Sequence, residues 1–555
     1  MSEHTWWKEA VVYQIYPRSF NDTDGDGLGD IPGITEKIGH LDDLGVDAVW
    51  LSPVYESPQY DNGYDVADYR SIHSEFGTMD DFDRMLERLH DRDIRLVMDM
   101  IPNHTSSEHE WFQRSRSEPA GKYGDYYVWR EGDPDQPPNN WESAFGGSAW
   151  TYDEERGAWY LHLFDVHQPD LNWRNSAVRE EIYDMMNWWL GKGIDGFRLD
   201  VVNLLSKAEG LPDGDPDGEW VGSEFFVDGP RIHEYLGQMH DEVFAGTDAV
   251  TVGEMPQLDI ETARKYVGDG PLDLVFPFEH MDLDFGEAGR WDIGSWELTD
   301  LKSILDRWQR GLEGCGWNTV FFENHDQPRS VSRFGDDGEY HYESATALAT
   351  VVLTLRGTPF VYQGQEIGMT NSTFESLESV RDVDTVRNVR ELIEDGVIEN
   401  YEAIRPVVEY RSRDNARTPM QWDDTAHAGF TDAEPWIPAN DDYPEINVAR
   451  QEGSASVLSY YRDLIALRRR TAALVRGSYD LFHPDDEQLY VYTRTLEGRE
   501  VVVAINFSDG DRRAQLDPLR AEASRLLSNY DDVADAPDGA VEFRPYEARV
   551  YRQSQ

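Results

Sequence analysis

The chain has 555 residues, 39% hydrophobic and 12% aromatic, and carries 108 Asp and Glu against 50 Lys and Arg, a formal net charge of -58. So acidic a balance excludes nucleic-acid binding by phosphate neutralisation, and the single Cys315 excludes an intrachain disulfide. The apolar content suffices for a large core, and the acids are spread through the chain rather than gathered in a disordered tail.

Residues 1–10 contain neither a basic n-region nor an apolar core, and no later stretch approaches the roughly 20 apolar residues of a membrane span. A soluble intracellular protein without a membrane partner is expected. Short apolar runs then recur as predicted strands at 11–16, 48–52, 95–101, 196–202, 249–254, 272–278, 319–322 and 359–363. Helical periodicity fills several intervals. Phe82, Met85, Leu86 and Leu89 share one face of 80–92, and Ile182, Met185, Met186 and Trp189 one face of 178–190. Eight β units alternating with helices predict a (β/α)8 TIM barrel over 1–104 and 176–476, with its site at the C-terminal strand ends. Residues 105–175, rich in Gly, Pro, Trp and Asn, read as an inserted domain after strand 3. Residues 369–448 form a second excursion, and helical 457–474 closes the barrel. From 477 to 555 the pattern turns to strict alternation, with a hairpin across Glu497-Gly498, and predicts a C-terminal antiparallel β-sandwich domain.

Four predicted strands end in ionisable motifs: Asp99-Met-Ile-Pro-Asn-His104, Gly196-Phe-Arg-Leu-Asp200, Thr251-Val-Gly-Glu254 and Phe322-Glu-Asn-His-Asp326. In a parallel barrel these ends converge. Asp200, Glu254 and Asp326 would then share a pocket with Arg198, His104 and His325. Crowded carboxylates divide acid, nucleophile and electrostatic roles among themselves, as cleavage of a glycosidic bond requires. Arg198 faces the same side as Asp200 and would keep it ionised, while Met255 and Pro256 give Glu254 an apolar setting that would raise its pKa.

These motifs, in this order, resemble glycoside hydrolase family 13, the α-amylase superfamily, and within it the oligo-1,6-glucosidase and α-glucosidase branch. Gln168-Pro-Asp-Leu-Asn172 and Ser412-Arg-Asp-Asn-Ala-Arg-Thr-Pro-Met-Gln-Trp422 extend the resemblance over nearly the whole chain. It implies Asp200 as nucleophile, Glu254 as general acid/base and Asp326 as the third carboxylate that holds the sugar. His104 and His325 would hydrogen-bond that sugar, and Tyr64 would stack on it. Asp61 and Arg413 would read its non-reducing-end 4-hydroxyl and close the pocket, with Phe145 and Gln168 as weaker lining candidates. The implied reaction is retaining release of glucose from short α-glucosides, leaning to the α-1,6 linkage because Val201 follows the nucleophile. Maltose, sucrose and glucosyl transfer stay open. Sucrose isomerisation and trehalose-6-phosphate hydrolysis are the neighbouring alternatives, and a non-catalytic transporter-ancillary relative is the alternative of another class. That relative would have a membrane anchor and no catalytic set.

The loop Asp22-Thr-Asp-Gly-Asp-Gly-Leu-Gly-Asp30 places acids at every second residue, a spacing suited to Ca²⁺ held by Asp22, Asp24, Asp26, the Leu28 carbonyl and Asp30. In the resembled branch this loop is a structural metal site, where Mg²⁺ could compete, and no organic cofactor is implied. A monomer or small homo-oligomer is expected. The charge of -58 with only seven lysines reads as adaptation to a high-salt cytosol, as in halophilic archaea: at about 1 M salt the screening length falls to roughly 3 Å and self-repulsion fades.

Overall fold

A computed structural model describes residues 5–287, 289–453, 455–520, 522–533 and 540–553. Among these, eight parallel strands form one sheet: β1 (Val12–Ile15), β2 (Ala48–Leu51), β3 (Arg95–Met100), β4 (Gly196–Leu199), β5 (Val250–Glu254), β6 (Leu274–Phe276), β7 (Thr319–Val320) and β8 (Thr358–Tyr362). The hydrogen-bonded order runs β6-β5-β4-β3-β2-β1-β8-β7. The Thr319 hydroxyl donates to the Val275 carbonyl at 2.9 Å across the remaining seam, so the sheet nearly closes into a barrel.

Side chains alternate across each strand, and the alternation sorts them into two cores. Tyr13, Val49, Leu51, Leu96, Met98, Phe197 and Leu199 point outward to the helices. Val12, Trp50, Val97, Val252, Phe276 and Phe360 fill the interior. The same alternation sends Asp99, Arg198 and Glu254 inward. Register sets Arg198 level with Asp99 on one side and Val252 on the other, so the polar groups form a layer above the apolar plug.

The helices start as their sequences ask. Thr78 caps Met79–His90 in a reciprocal capping box with Asp81, and Asn175 caps Ser176–Lys192. Between β3 and β4 the chain forms the helix Glu110–Ser117 and a three-stranded antiparallel sheet (Trp129–Arg130, Trp150–Asp153, Ala158–Leu161). After β8 come the helices Val383–Glu394 and Tyr401–Arg411. The closing helix is shorter than its periodicity suggests: Val457–Arg470 stops at Thr471 and a second helix, Ala472–Arg476, follows. The C-terminal part is a five-stranded antiparallel sheet with a two-stranded ribbon packed on it. Its hairpin pairs Leu489–Leu496 with Arg499–Asn506 as predicted. Among the described residues no helix is long and apolar enough to cross a membrane.

Buried cations line the joint between barrel and C-terminal sheet. Arg468 donates to the carbonyls of Leu353, Leu355, Leu474 and Gly357, and Arg494 to those of Thr354, Leu474 and Gly477. These carbonyls belong to the ends of His341–Thr354 and Ala472–Arg476 and the turns just beyond, where helices leave acceptors unsatisfied. Lys302 likewise donates to the carbonyls of His483, Asp486 and Leu489.

Candidate active site

At the C-terminal end of the barrel, Arg198 is almost fully buried and its guanidinium joins three carboxylates. Nη1 meets Asp99 at 2.8 Å and Asp200 at 2.6 Å, and Nη2 meets Glu254 at 2.6 Å. The Asp99 Oδ2 also accepts from Trp50 Nε1 at 3.1 Å and Tyr64 Oη at 2.9 Å. Three carboxylates around one guanidinium leave a net charge of minus two if all ionise. Burial makes that costly, so the cluster tends to hold a proton. Burial pushes Asp99 up to about 6 even against Arg198. It raises Asp200 as well, with Arg198 opposing and Glu254 and Asp99 adding to the rise. Arg198 is thus shared among three acids, and burial outweighs it at Asp200, against the expectation that it keeps that carboxyl ionised.

Val201 follows in the left-handed region, at φ 36° and ψ 43°. For a β-branched residue this is an outlier costing roughly 1–3 kcal/mol. It is held there by a buried apolar cluster with Leu204, Leu211 and Phe226.

Opposite, Asp326 Oδ1 accepts from Arg417 Nη2 at 2.8 Å and Arg413 Nη1 at 3.1 Å, and Oδ2 lies 3.2 Å from His325 Nε2. Burial alone would raise Asp326; His325, Arg413 and Arg417 overcome it and hold the carboxyl far below its usual range. Gln14 Nε2 donates to His325 Nδ1 at 2.8 Å, which leaves the ring proton on Nε2, toward Asp326. Burial lowers His325 to about 3 and His104 to about 4, so both rings are neutral at pH 7. The Tyr64 ring stacks on His325 with centroids 5.1 Å apart.

Arg413 completes the wall: its Nη2 lies 3.4 Å from Asp61 and its guanidinium 5.1 Å from the Phe145 ring centroid. Gln168 Nε2 donates to Asp61 Oδ2 at 3.1 Å and sits 3.3 Å from His104 Nε2. A cavity of about 600 Å³ touches Asp61, Tyr64, His104, Phe145, Gln168, Asp200, Glu254, Asp326 and Arg413 together. The structure therefore gathers on one cavity nine of the eleven side chains singled out for catalysis and substrate binding. Arg198 and His325 lie just behind them.

Three participants were not singled out. Asp99 stands one residue before the end of β3, and the alternation that pairs Arg198 with Asp200 could have found it. Arg417 is one helical turn after Arg413 on Asp414–Arg417. Asp382 meets Arg413 at 2.6 Å from the second excursion, and its local sequence signals only a helix cap, which it also supplies to Asp384 and Thr385.

The acidic loop lies apart from this cavity. Asp22, Asp24 and Asp30 each offer an oxygen within 4.8 Å of the others, a hard, oxygen-only set that fits Ca²⁺ or Mg²⁺. Asp26 stands outside this trio, accepting from the Leu28 amide at 2.8 Å, and Asp30 also caps Ile31–Leu44.

The α-amylase catalytic-domain family model matches residues 14–477. The chain is 51% identical over 554 residues to the oligo-1,6-glucosidase of Halalkalibacterium halodurans, covering 98% of each. It superposes on the trehalose-6-phosphate hydrolase of Bacillus licheniformis with a TM-score of 0.93 at 45% identity, covering 99% of this chain and 100% of that one. It also superposes on the trehalulose synthase MutB of Pseudomonas mesoacidophila MX-45 with a TM-score of 0.95 at 42% identity, covering 99% of each. These relatives are bacterial and lend no support to an archaeal source.

Proposed function

The chain belongs to the α-amylase family of glycoside hydrolases, and from that premise we propose that it is a retaining α-glucosidase. It would release glucose from the non-reducing end of short α-glucosides, with a lean to the α-1,6 linkage. The observation that carries the reading is the Arg198 bridge between Asp200 and Glu254. One planar guanidinium holding both carboxylates keeps them close, in keeping with the roughly 5–5.5 Å separation of retaining enzymes rather than the wider gap of inverting ones.

Asp200 attacks the anomeric carbon as the C1–O bond breaks, and Glu254 gives its proton to the departing oxygen. Water then attacks C1 and leaves its proton on Glu254, and the Asp200 ester is released as carboxylate. The mechanism needs one proton on its acid, and three crowded carboxylates on one guanidinium favour keeping one within the cluster. Asp326, held as an anion, and the neutral His325 and His104 are placed to hydrogen-bond the sugar hydroxyls. The Asp61–Arg413 wall shuts the cavity beyond the first sugar, which supports exo-action. Proton NMR of the first turnover tests the mechanism: α-glucose appears before mutarotation, and β-glucose as first product would overturn it.

We also propose Ca²⁺ in the Asp22–Asp30 loop, with Asp26 and the Leu28 carbonyl completing the set, and a high-salt cytosol as the working environment. The fit of the donor set supports the first, and the charge of -58 supports the second.

A further inference from the structure

The cavity is lined by eight acidic side chains and only four arginines, and the arginines are all spoken for. Arg290 is held by Asp384, Arg333 and Arg411 by Asp284, and Arg413 by Asp61, Asp326 and Asp382. The acids divide differently. Asp61, Asp200, Glu254 and Asp384 are buried and Asp326 is half-buried, and each meets an arginine. Glu142, Glu219 and Asp282 reach solvent at the outer part of the same cavity, and none of the three makes an ion pair with a described residue. The charge presented to whatever occupies the outer cavity is therefore negative.

From this we infer that the mouth sorts substrates by the charge of the leaving unit, rejecting phosphorylated sugars and favouring those that carry an amine. The inference rests on the α-glucosidase reading and adds the chemical class of the leaving group. The first sugar sits among the inner groups, where every acid meets an arginine. The leaving unit sits among Glu142, Glu219 and Asp282 at the rim, beside the Trp220 ring. Burial pushes Asp282 up to about 6 against Arg333, with Glu219 and Asp284 adding to the rise, so it is ionised at neutral pH and close enough to Glu219 to sense it. A cleft lined by one sign of charge focuses its field on the occupant. A phosphate monoester brings a charge of about -1.5 to -2 into that field, and none of the four arginines is free to receive it. An ammonium group meets three acceptors that no described residue pairs.

The test uses three glucosyl disaccharides of one linkage, whichever the wild type cleaves fastest, with glucose, glucosamine or glucose 1-phosphate as the leaving unit. The expected order of kcat/KM is amine, neutral, phosphate, with about tenfold or more between the outer two at the lowest salt that keeps the protein native. The spread should shrink toward unity in molar salt as the screening length contracts from about 10 Å to about 3 Å. In the Glu142→Gln, Glu219→Gln, Asp282→Asn variant the phosphate-to-neutral ratio should rise about tenfold. Equal rates on phosphate and neutral substrates at low salt, or a ratio that the triple variant leaves unmoved, would overturn the inference. Failure to cleave any neutral α-glucoside would instead overturn the reading on which it rests.

Discussion

The amide of Val201 donates to Glu254 Oε2 at 3.2 Å, and just beyond that amide the Val201 backbone turns left-handed. The residue after one carboxylate thus orients the other. The side chain of Val201 lies on the cavity while its backbone holds the proposed acid. Replacement by Thr keeps the β-branch and the amide and changes only a methyl to a hydroxyl. Val201→Thr should therefore shift the maltose-to-isomaltose ratio of kcat/KM, by about tenfold, the lower end of what one such group supplies. An unmoved ratio would remove Val201 from the choice of linkage.

Exchange of each proposed catalytic carboxylate should leave a different chemical signature. Glu254→Gln should lower kcat by about 10²–10⁴-fold on a sugar leaving group, with azide restoring turnover as the α-glucosyl azide. Asp200→Ala should abolish turnover, and azide should then give the β-product, because it attacks the face that Asp200 vacates. If both variants gave the same azide anomer, the two roles would have to be reassigned.

His280 offers a clean reading of acid sensitivity away from the proposed catalytic residues. It is buried against Phe321 and Phe322 with its Nε2 2.8 Å from the Phe321 carbonyl, and burial lowers it to about 4. A histidine whose folded pKa lies below its unfolded value of about 6.5 contributes stability above pH 6.5 and loses it as pH falls toward 4. His280→Gln retains a donor for Phe321 but cannot titrate. Between pH 7.5 and pH 5 the wild type should lose about 2 kcal/mol relative to this variant in denaturant melts at fixed salt. A constant difference would show that His280 stays protonated or unfolded-like.

Chelation should lower the melting temperature and Ca²⁺ should restore it, since a ligand at 100 times its Kd adds about 2.7 kcal/mol. Asp24→Ala is the control. Asp24 is the exposed member of the trio, its only described side-chain hydrogen bond being to the Asp26 amide, and with it gone neither reagent should act. A wild type indifferent to chelator would leave the loop as an acidic turn.

Dialysis to low salt should cost both activity and the near-UV circular dichroism of the packed aromatics, as repulsion among the surface acids returns. An unchanged spectrum in dilute buffer would count against a high-salt adaptation.

Much of this architecture was legible because barrel strands are short, apolar and end where chemistry begins. Alternation alone predicts that Arg198 and Asp200 share a face. Asp382 was hidden for the opposite reason: its role depends on a tertiary approach to Arg413 and Arg417 farther along the same excursion, and locally it is an ordinary helix cap. The orientation of Val201 was hidden too, because nothing in its residue type announces a left-handed backbone. The strand at 319–322 proved shorter, as Thr319–Val320, because Phe321 and Phe322 leave the ladder to pack against neighbouring aromatics.

The guanidinium groups of Arg468 and Arg494 spend their charge on carbonyls, and neither makes an ion pair with a carboxylate among the described residues. Dissolved ions reach neither group, so dilution that sets the acidic exterior against itself leaves this joint unaltered. The molecule should then come apart in a definite sequence. The acid-rich rim and excursions loosen first, and barrel and C-terminal sheet stay joined and unfold last, as a single piece.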